Sequence, residues 1–233
     1  MPEQAGRQLV EISPPAAPRL ALPIVAPSLL SPGERARLEG RARLLAWSGI
    51  AWHFIEFAIA LFAGIVAGSI ALIGFGADSL VESMAGFVVI WLFTGRRVGS
   101  DNAERRAQQV IAASFFALAV YVGAEAIRTL VAGDHPATSW IGVGLAAFTA
   151  PTMPLLALLK RRVGQQLNSS ATVKEGAQNM VCAYLSVGLL AGLLLNALVG
   201  WWWADPAAAL LIAAVAVREG RQSWRGEGCC DAC

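Results

Sequence analysis

Charge is what this chain has least of. Of its 233 residues, 15% are Asp, Glu, Lys or Arg, against 56% hydrophobic. That balance excludes an ordinary water-soluble domain, which carries about a quarter of its residues as charges. Cysteine is scarce too. There are four, Cys182 within an apolar stretch and Cys229, Cys230 and Cys233 at the C-terminus. Too few are placed to staple a small fold, and thiols on a cytoplasmic tail stay reduced and free. The formal net charge is +2, which leaves no basic surface for nucleic acid and no nucleic-acid partner.

What is present is apolar sequence in long runs. Six can be marked out, at about 44–66, 69–94, 107–131, 138–159, 172–198 and 201–217. Each is near the roughly 20 residues that a membrane helix needs, although Pro206 leaves the start of the last one uncertain. Spanning segments must satisfy their backbone internally, and alternating helices do so. The expected fold is an all-α membrane protein with six transmembrane helices forming one domain over residues 44–220. The basic residues fix its orientation. Arg35, Arg37, Arg41 and Arg43 precede the first run, and Arg96, Arg97, Arg105 and Arg106 separate the second from the third. Lys160, Arg161, Arg162 and Lys174 separate the fourth from the fifth, and Arg218, Arg221 and Arg225 follow the sixth. The other three loops lack Lys and Arg, so both termini are expected on the cytoplasmic side. Arg128 is the exception, placed to pair with Glu125. Residues 1–30, Pro- and Ala-rich, read as a disordered tail without a signal-peptide cleavage pattern. Residues 31–43 read as a basic interfacial helix, opened by a capping box of Ser31 and Glu34 with Pro32 in the first turn. Residues 221–233 read as a Cys-containing tail.

The chemistry sits where charge is most costly. Asp78 and Glu82 lie inside the second run, where an ionised side chain costs about 3 kcal/mol or more and marks a functional site by default. At i and i+4 they share one helical face, which suits a proton relay or half of a cation cage. Counting inward at about 1.5 Å per residue, Glu56 in the first run and Cys182 in the fifth fall at a similar depth to Glu82. Gln178 lies one turn toward the cytoplasm from Cys182, and Glu175 lies near the inner surface. Carboxylates, a thiolate and an amide oxygen can make a four-coordinate site for a divalent ion of intermediate softness such as zinc. The bland alternatives are real. Asp78 and Glu82 can bond Ser79, Ser83 or backbone, Glu56 can pair with His53 as a structural contact, and Cys182 can be a small core residue. Asp205 before Pro206 is expected to cap the sixth helix, and Trp201–Trp203 to sit in an interfacial aromatic belt. Gly64 with Gly68, and Gly188 with Gly192, are small-xxx-small pairs for close helix approach. Cys229, Cys230 and Cys233 with Asp231 form a possible tail site for a soft metal ion.

Three strings carry a family resemblance. GSIALIGFGADSLVES (Gly68–Ser83) resembles the second transmembrane helix of cation diffusion facilitators, with Asp78 and Glu82 in the positions of the family's ligand pair. KEGAQNMVCAYLS (Lys174–Ser186) is similar to the fifth helix, with Gln178 and Cys182 where a His-x-x-x-Asp pair stands in the family and Glu175 in place of a preceding Asp. WWWADPAAALLIAAVAVREG (Trp201–Gly220) resembles the sixth. The resemblance covers about residues 44–220. It implies export of a divalent cation, usually zinc, in exchange for protons, through a tetrahedral site between helices two and five, with alternating access and a homodimer. It also implies a short form, since the usual cytoplasmic ferredoxin-like domain has no counterpart before Cys233.

The reading is a divalent metal transporter for zinc or a softer ion in a bacterial plasma membrane, with Asp78, Glu82 and Cys182 as ligands and Gln178, Glu175 or Glu56 completing the shell. The metal is cargo and no tightly bound cofactor is expected. Ligands must lose protons to bind metal, which gives proton exchange a simple origin. The rival class is a membrane metal-binding or regulatory protein that does not transport. An enzyme is not expected, because the Gly-x-Gly-Asp setting of membrane proteases is missing: Gly74, Gly76 and Asp78 are spaced differently.

Overall fold

The computed structural model describes residues 31–92, 101–167 and 169–225, and every element among them is helical. The helices are α1 (Pro32–Ala67), α2 (Ile70–Leu92), α3 (Asp101–Ala132), α4 (Trp140–Leu167), α5 (Ser170–Val199) and α6 (Ala204–Arg225). Four of these, α1, Gln108–Ala132 of α3, α4 and Glu175–Val199 of α5, are long and apolar enough to cross a membrane. The expected tail at 1–30 lies outside the described residues, as do Arg96 and Arg97; of the tail expected at 221–233, residues 221–225 continue α6 as helix and residues 226–233, with Cys229, Cys230 and Cys233, lie outside the described residues.

Local chemistry sets the helix ends. The Ser31 hydroxyl accepts from the Glu34 amide, and the Glu34 carboxylate accepts from the Ser31 amide, the expected capping box with Pro32 at the first position. No break separates residues 31–43 from the span that follows, so the basic segment forms the first turns of one 36-residue helix. At about 1.5 Å per residue that is about 54 Å, well beyond a hydrocarbon core of about 30 Å. Its arginines are therefore carried out past the apolar part, where Arg35 pairs with Glu39 at 3.1 Å. Gly68 closes α1 at φ 65, a left-handed geometry that favours glycine. It is thus a cap, and only Gly64 of that expected pair lies at a helix contact, where an added β-carbon would meet Ile73 at 2.8 Å. Gly192 lets α5 approach α6, since an added β-carbon there would lie 3.0 Å from the Ala204 carbonyl oxygen.

Helix α4 packs along α5, α3 along α6, and α1 against α2 and α4, while α2 touches α1, α3, α5 and α6. The side-chain distribution is inverted relative to a water-soluble bundle. Val66, Val120, Val131 and Leu198 are more than two-thirds exposed. His53, Glu56, Asp78, Glu82, Lys160, Asn179 and Asp205 are buried. An apolar exterior around an ionisable interior is the pattern of a bundle in lipid.

Candidate metal centre

Residues of three helices form three stacked layers. Helix α1 supplies Gly49, His53 and Glu56, and α5 the half-buried Glu175 with the buried Asn179 and Cys182, both sets at i, i+4, i+7 and so on one face. Helix α4 runs the opposite way and supplies Lys160, Met153 and Thr149 to the same three levels.

In the innermost layer Glu56 is fully buried. Its Oε1 accepts from the Thr149 hydroxyl at 2.6 Å, and its Oε2 accepts from the Ser79 hydroxyl at 2.8 Å. The Cys182 sulfur lies 3.8 Å from the same Oε2. One carboxylate thereby ties α1 to α2, α4 and α5. Pro151 and Pro154 lie inside α4 next to these contacts. Each deprives a carbonyl one turn back of its helical donor, a loss tolerated in membrane helices where neighbours re-satisfy the backbone.

In the middle layer His53 lies between two carboxylates. Its Nδ1 is 3.3 Å from Glu56 Oε2 and 3.3 Å from Glu82 Oε2. Its Nε2 is 3.4 Å from the Asn179 amide nitrogen, which also lies 3.2 Å from the Met153 sulfur. Glu82 Oε2 is buried and meets His53 Nδ1 without a well-formed hydrogen bond. The imidazole it faces is shared with Glu56, so its burial is only partly compensated. His53, Glu82 and Cys182 can each offer one ligand atom, and these atoms all lie within 4.8 Å of one another. Bond lengths of about 2.0–2.3 Å put the ligands of a tetrahedral ion roughly 3.3–3.8 Å apart. Small side-chain rotations would bring this triad onto an ion. Nitrogen, oxygen and sulfur donors together suit zinc and softer cations.

The expected ligands thus divide. Glu82, Cys182 and Glu56 come together. Asp78 is buried on α2 one turn from Glu82. Gln178 is half-buried, and its neighbour Asn179 is the side chain that enters the middle layer. Glu175 is held in the outermost layer by Lys160 at 3.4 Å. His53, read as a packing residue, is the missed member; only its spacing from Glu56 pointed to it. Lys160 was expected in a loop after the fourth span. Instead α4 continues to Leu167 and Lys160 is 4% exposed. Glu125 does pair with Arg128, at 2.7 Å.

A model of the cation efflux transmembrane domain matches residues 46–225, a stretch that takes in all three layers. An uncharacterized transporter of Synechocystis sp. is 25% identical over 153 residues, covering 62% of this chain and 49% of that protein. Transmembrane protein 163 of Xenopus laevis is 22% identical over 162 residues, covering 69% of this chain and 58% of that protein. The chain spans about half the length of the curated relatives it matches.

Proposed function

The chain belongs to the cation efflux family, and from that premise we propose that it carries a divalent metal cation, zinc or a softer ion, through a site formed by His53, Glu82 and Cys182. Glu56 orients that site through Ser79 and Thr149, and Asp78 stands one turn away to receive or release the ion. The observation that carries the reading is the triad itself, three ligand types from three different helices, buried in a bundle with an apolar exterior. A carboxyl and a thiol each give up a proton when they ligate metal. Protons arriving at the site therefore expel the ion, and exchange of metal for protons follows without a separate coupling device. All six helices cross the bilayer, with both termini cytoplasmic, in a bacterial plasma membrane, and two copies associate.

Metal flux in proteoliposomes tests the proposal. Wild type should move zinc or cadmium in the direction opposite to an imposed downhill proton flow, and Glu82→Ala and His53→Ala should not. Flux that survives both substitutions overturns the site. Stoichiometric binding without flux identifies a metal-binding protein in place of a transporter.

A further inference from the structure

The outermost layer holds a group that the metal site does not use. Lys160 is buried at 4% exposure, and its ammonium lies 3.4 Å from the Glu175 carboxylate. Lysine is almost never fully buried unless it is paired, and a cation at this depth in an apolar bundle is rare and usually functional. The room it occupies is made by a glycine on a third helix. A β-carbon at Gly49 would lie 2.7 Å from Lys160 Nζ. Beside the pair, α4 and α5 meet at another glycine, where a β-carbon on Gly176 would lie 2.8 Å from the Ala157 carbonyl. Lys160 and Glu175 thus ride on one closely packed helix pair, and Gly49 is a seat on the opposing α1.

The position matters because of what lies behind it. Gly49 is one helical turn from His53, Glu175 is one turn from Asn179, and both are on the side of the site toward the α4–α5 turn. A divalent cation coming from that end meets a fixed positive charge before it meets a ligand.

We propose that Lys160 is a tethered cationic plug: held by Glu175 and seated on Gly49, it closes the α4–α5-turn end of the metal site to cations, and it opens when α1 moves off α4. The tether has a second consequence. When the plug leaves its seat, Glu175 is free to meet an incoming cation, so one carboxylate serves the closed state through lysine and the open state through the ion. The identity of the site behind the plug rests on the metal-transport reading; the plug itself is tested without metal.

Cys182 lies in the site and reports access to it. In protein with Cys229, Cys230 and Cys233 changed to serine and reconstituted in vesicles, the labelling rate of Cys182 is measured with a cationic and a neutral methanethiosulfonate of similar size. Wild type should label slowly with both. Lys160→Met keeps most of the bulk and removes the charge. It should raise the ratio of cationic to neutral rates by roughly tenfold, the scale of one like charge acting across a few ångströms of partly screened protein. Glu175→Gln, which unties the ammonium and keeps the side-chain shape, should raise both rates. Ala126→Cys in a Cys182→Ser background reports on folding from a buried position on α3 and should stay unlabelled in both variants. For Lys160→Met, equal increases with the two reagents or no increase with either overturns the plug; for Glu175→Gln, rates no faster than wild type overturn it; and labelling at position 126 in either variant assigns the change to loosened packing and overturns it as well. A moved ratio in protein that neither binds nor carries metal keeps the plug and removes the metal reading, so the two fail separately.

Discussion

Asp205 of α6 accepts a hydrogen bond from the hydroxyl of Ser69, the residue that opens α2. Its other oxygen takes the Ala71 amide at 3.4 Å, while the Ser69 hydroxyl accepts from the Leu72 amide at 3.1 Å. Asp205 was expected to cap its own helix. It caps another one, placing a carboxylate at the positive end of the α2 dipole and joining the helix that carries Asp78 and Glu82 to α6. Asp205→Ala leaves a buried hydroxyl and a buried amide without their acceptor, a loss of about 2–3 kcal/mol. Asp205→Asn keeps one acceptor and should lose about half as much. Detergent-titrated unfolding measures both, and an alanine variant as stable as wild type would remove the cap from the fold's account.

The network around Glu56 predicts non-additive mutants. Thr149→Val and Ser79→Ala each strip a donor from a fully buried carboxylate, and each should destabilise by about 1–3 kcal/mol. In a Glu56→Gln background the same substitutions should lose less, because the charge they serve is gone. A double-mutant cycle measures the coupling, expected at about 1 kcal/mol or more for residues in one hydrogen-bonded group. Strict additivity would mean that the three side chains only fill space.

Much of this architecture can be read along the chain, and its boundaries show where reading stops. The helices announce themselves as apolar runs broken by charge and glycine, and the Ser31–Glu34 box is visible because a cap is a local event. Lys160 shows the limit. A hydropathy pattern ends a span at the first cation, so α4 was expected to stop near residue 159. The helix continues because Gly49 and Glu175, far away in sequence, supply the space and the opposite charge. His53 was legible only as a neighbour of Glu56. Its approach to Glu82 and Asn179 depends on how α1 packs against α2 and α5, and no periodicity within α1 encodes that. Asp205 was misassigned for the same reason: a carboxylate at a helix start caps the nearest free amides in space, which here belong to α2.

The start of α1 carries a pH dependence of its own. Hydrogen bonds from the Ser31 hydroxyl and backbone amide hold the Glu34 carboxyl below its ordinary value of 4.5. A group whose value is lowered by folding stabilises the folded form above its ordinary value. That contribution is lost as pH falls through the lowered one. Hydrogen-exchange protection of the first two turns of α1, taken relative to the intrinsic rate at each pH, should therefore fall below about pH 4.5, and Glu34→Gln should flatten the dependence. An unchanged profile in the glutamine variant would assign the acid fraying to another group.

Donor chemistry predicts which ions Cys182 selects. Thiolate favours soft cations, while imidazole and carboxylate accept harder ones. Cys182→Ser replaces sulfur with a hard oxygen donor in a space of similar size. It should weaken cadmium binding on the order of 100-fold and manganese binding by only a few-fold, because removal of an interaction of about 2–3 kcal/mol falls on the soft ion alone. Binding by wild type should strengthen as pH rises, since the carboxyl and the thiol must be deprotonated to ligate. The slope of log affinity against pH should become shallower in the serine variant, whose hydroxyl can bind without releasing a proton. Competition titrations with cadmium and manganese over a range of pH measure both effects on the same protein. If cadmium and manganese weaken equally, Cys182 is a packing residue beside the ion; if the selectivity changes and the slope does not, it ligates as a sulfur already deprotonated before the ion arrives.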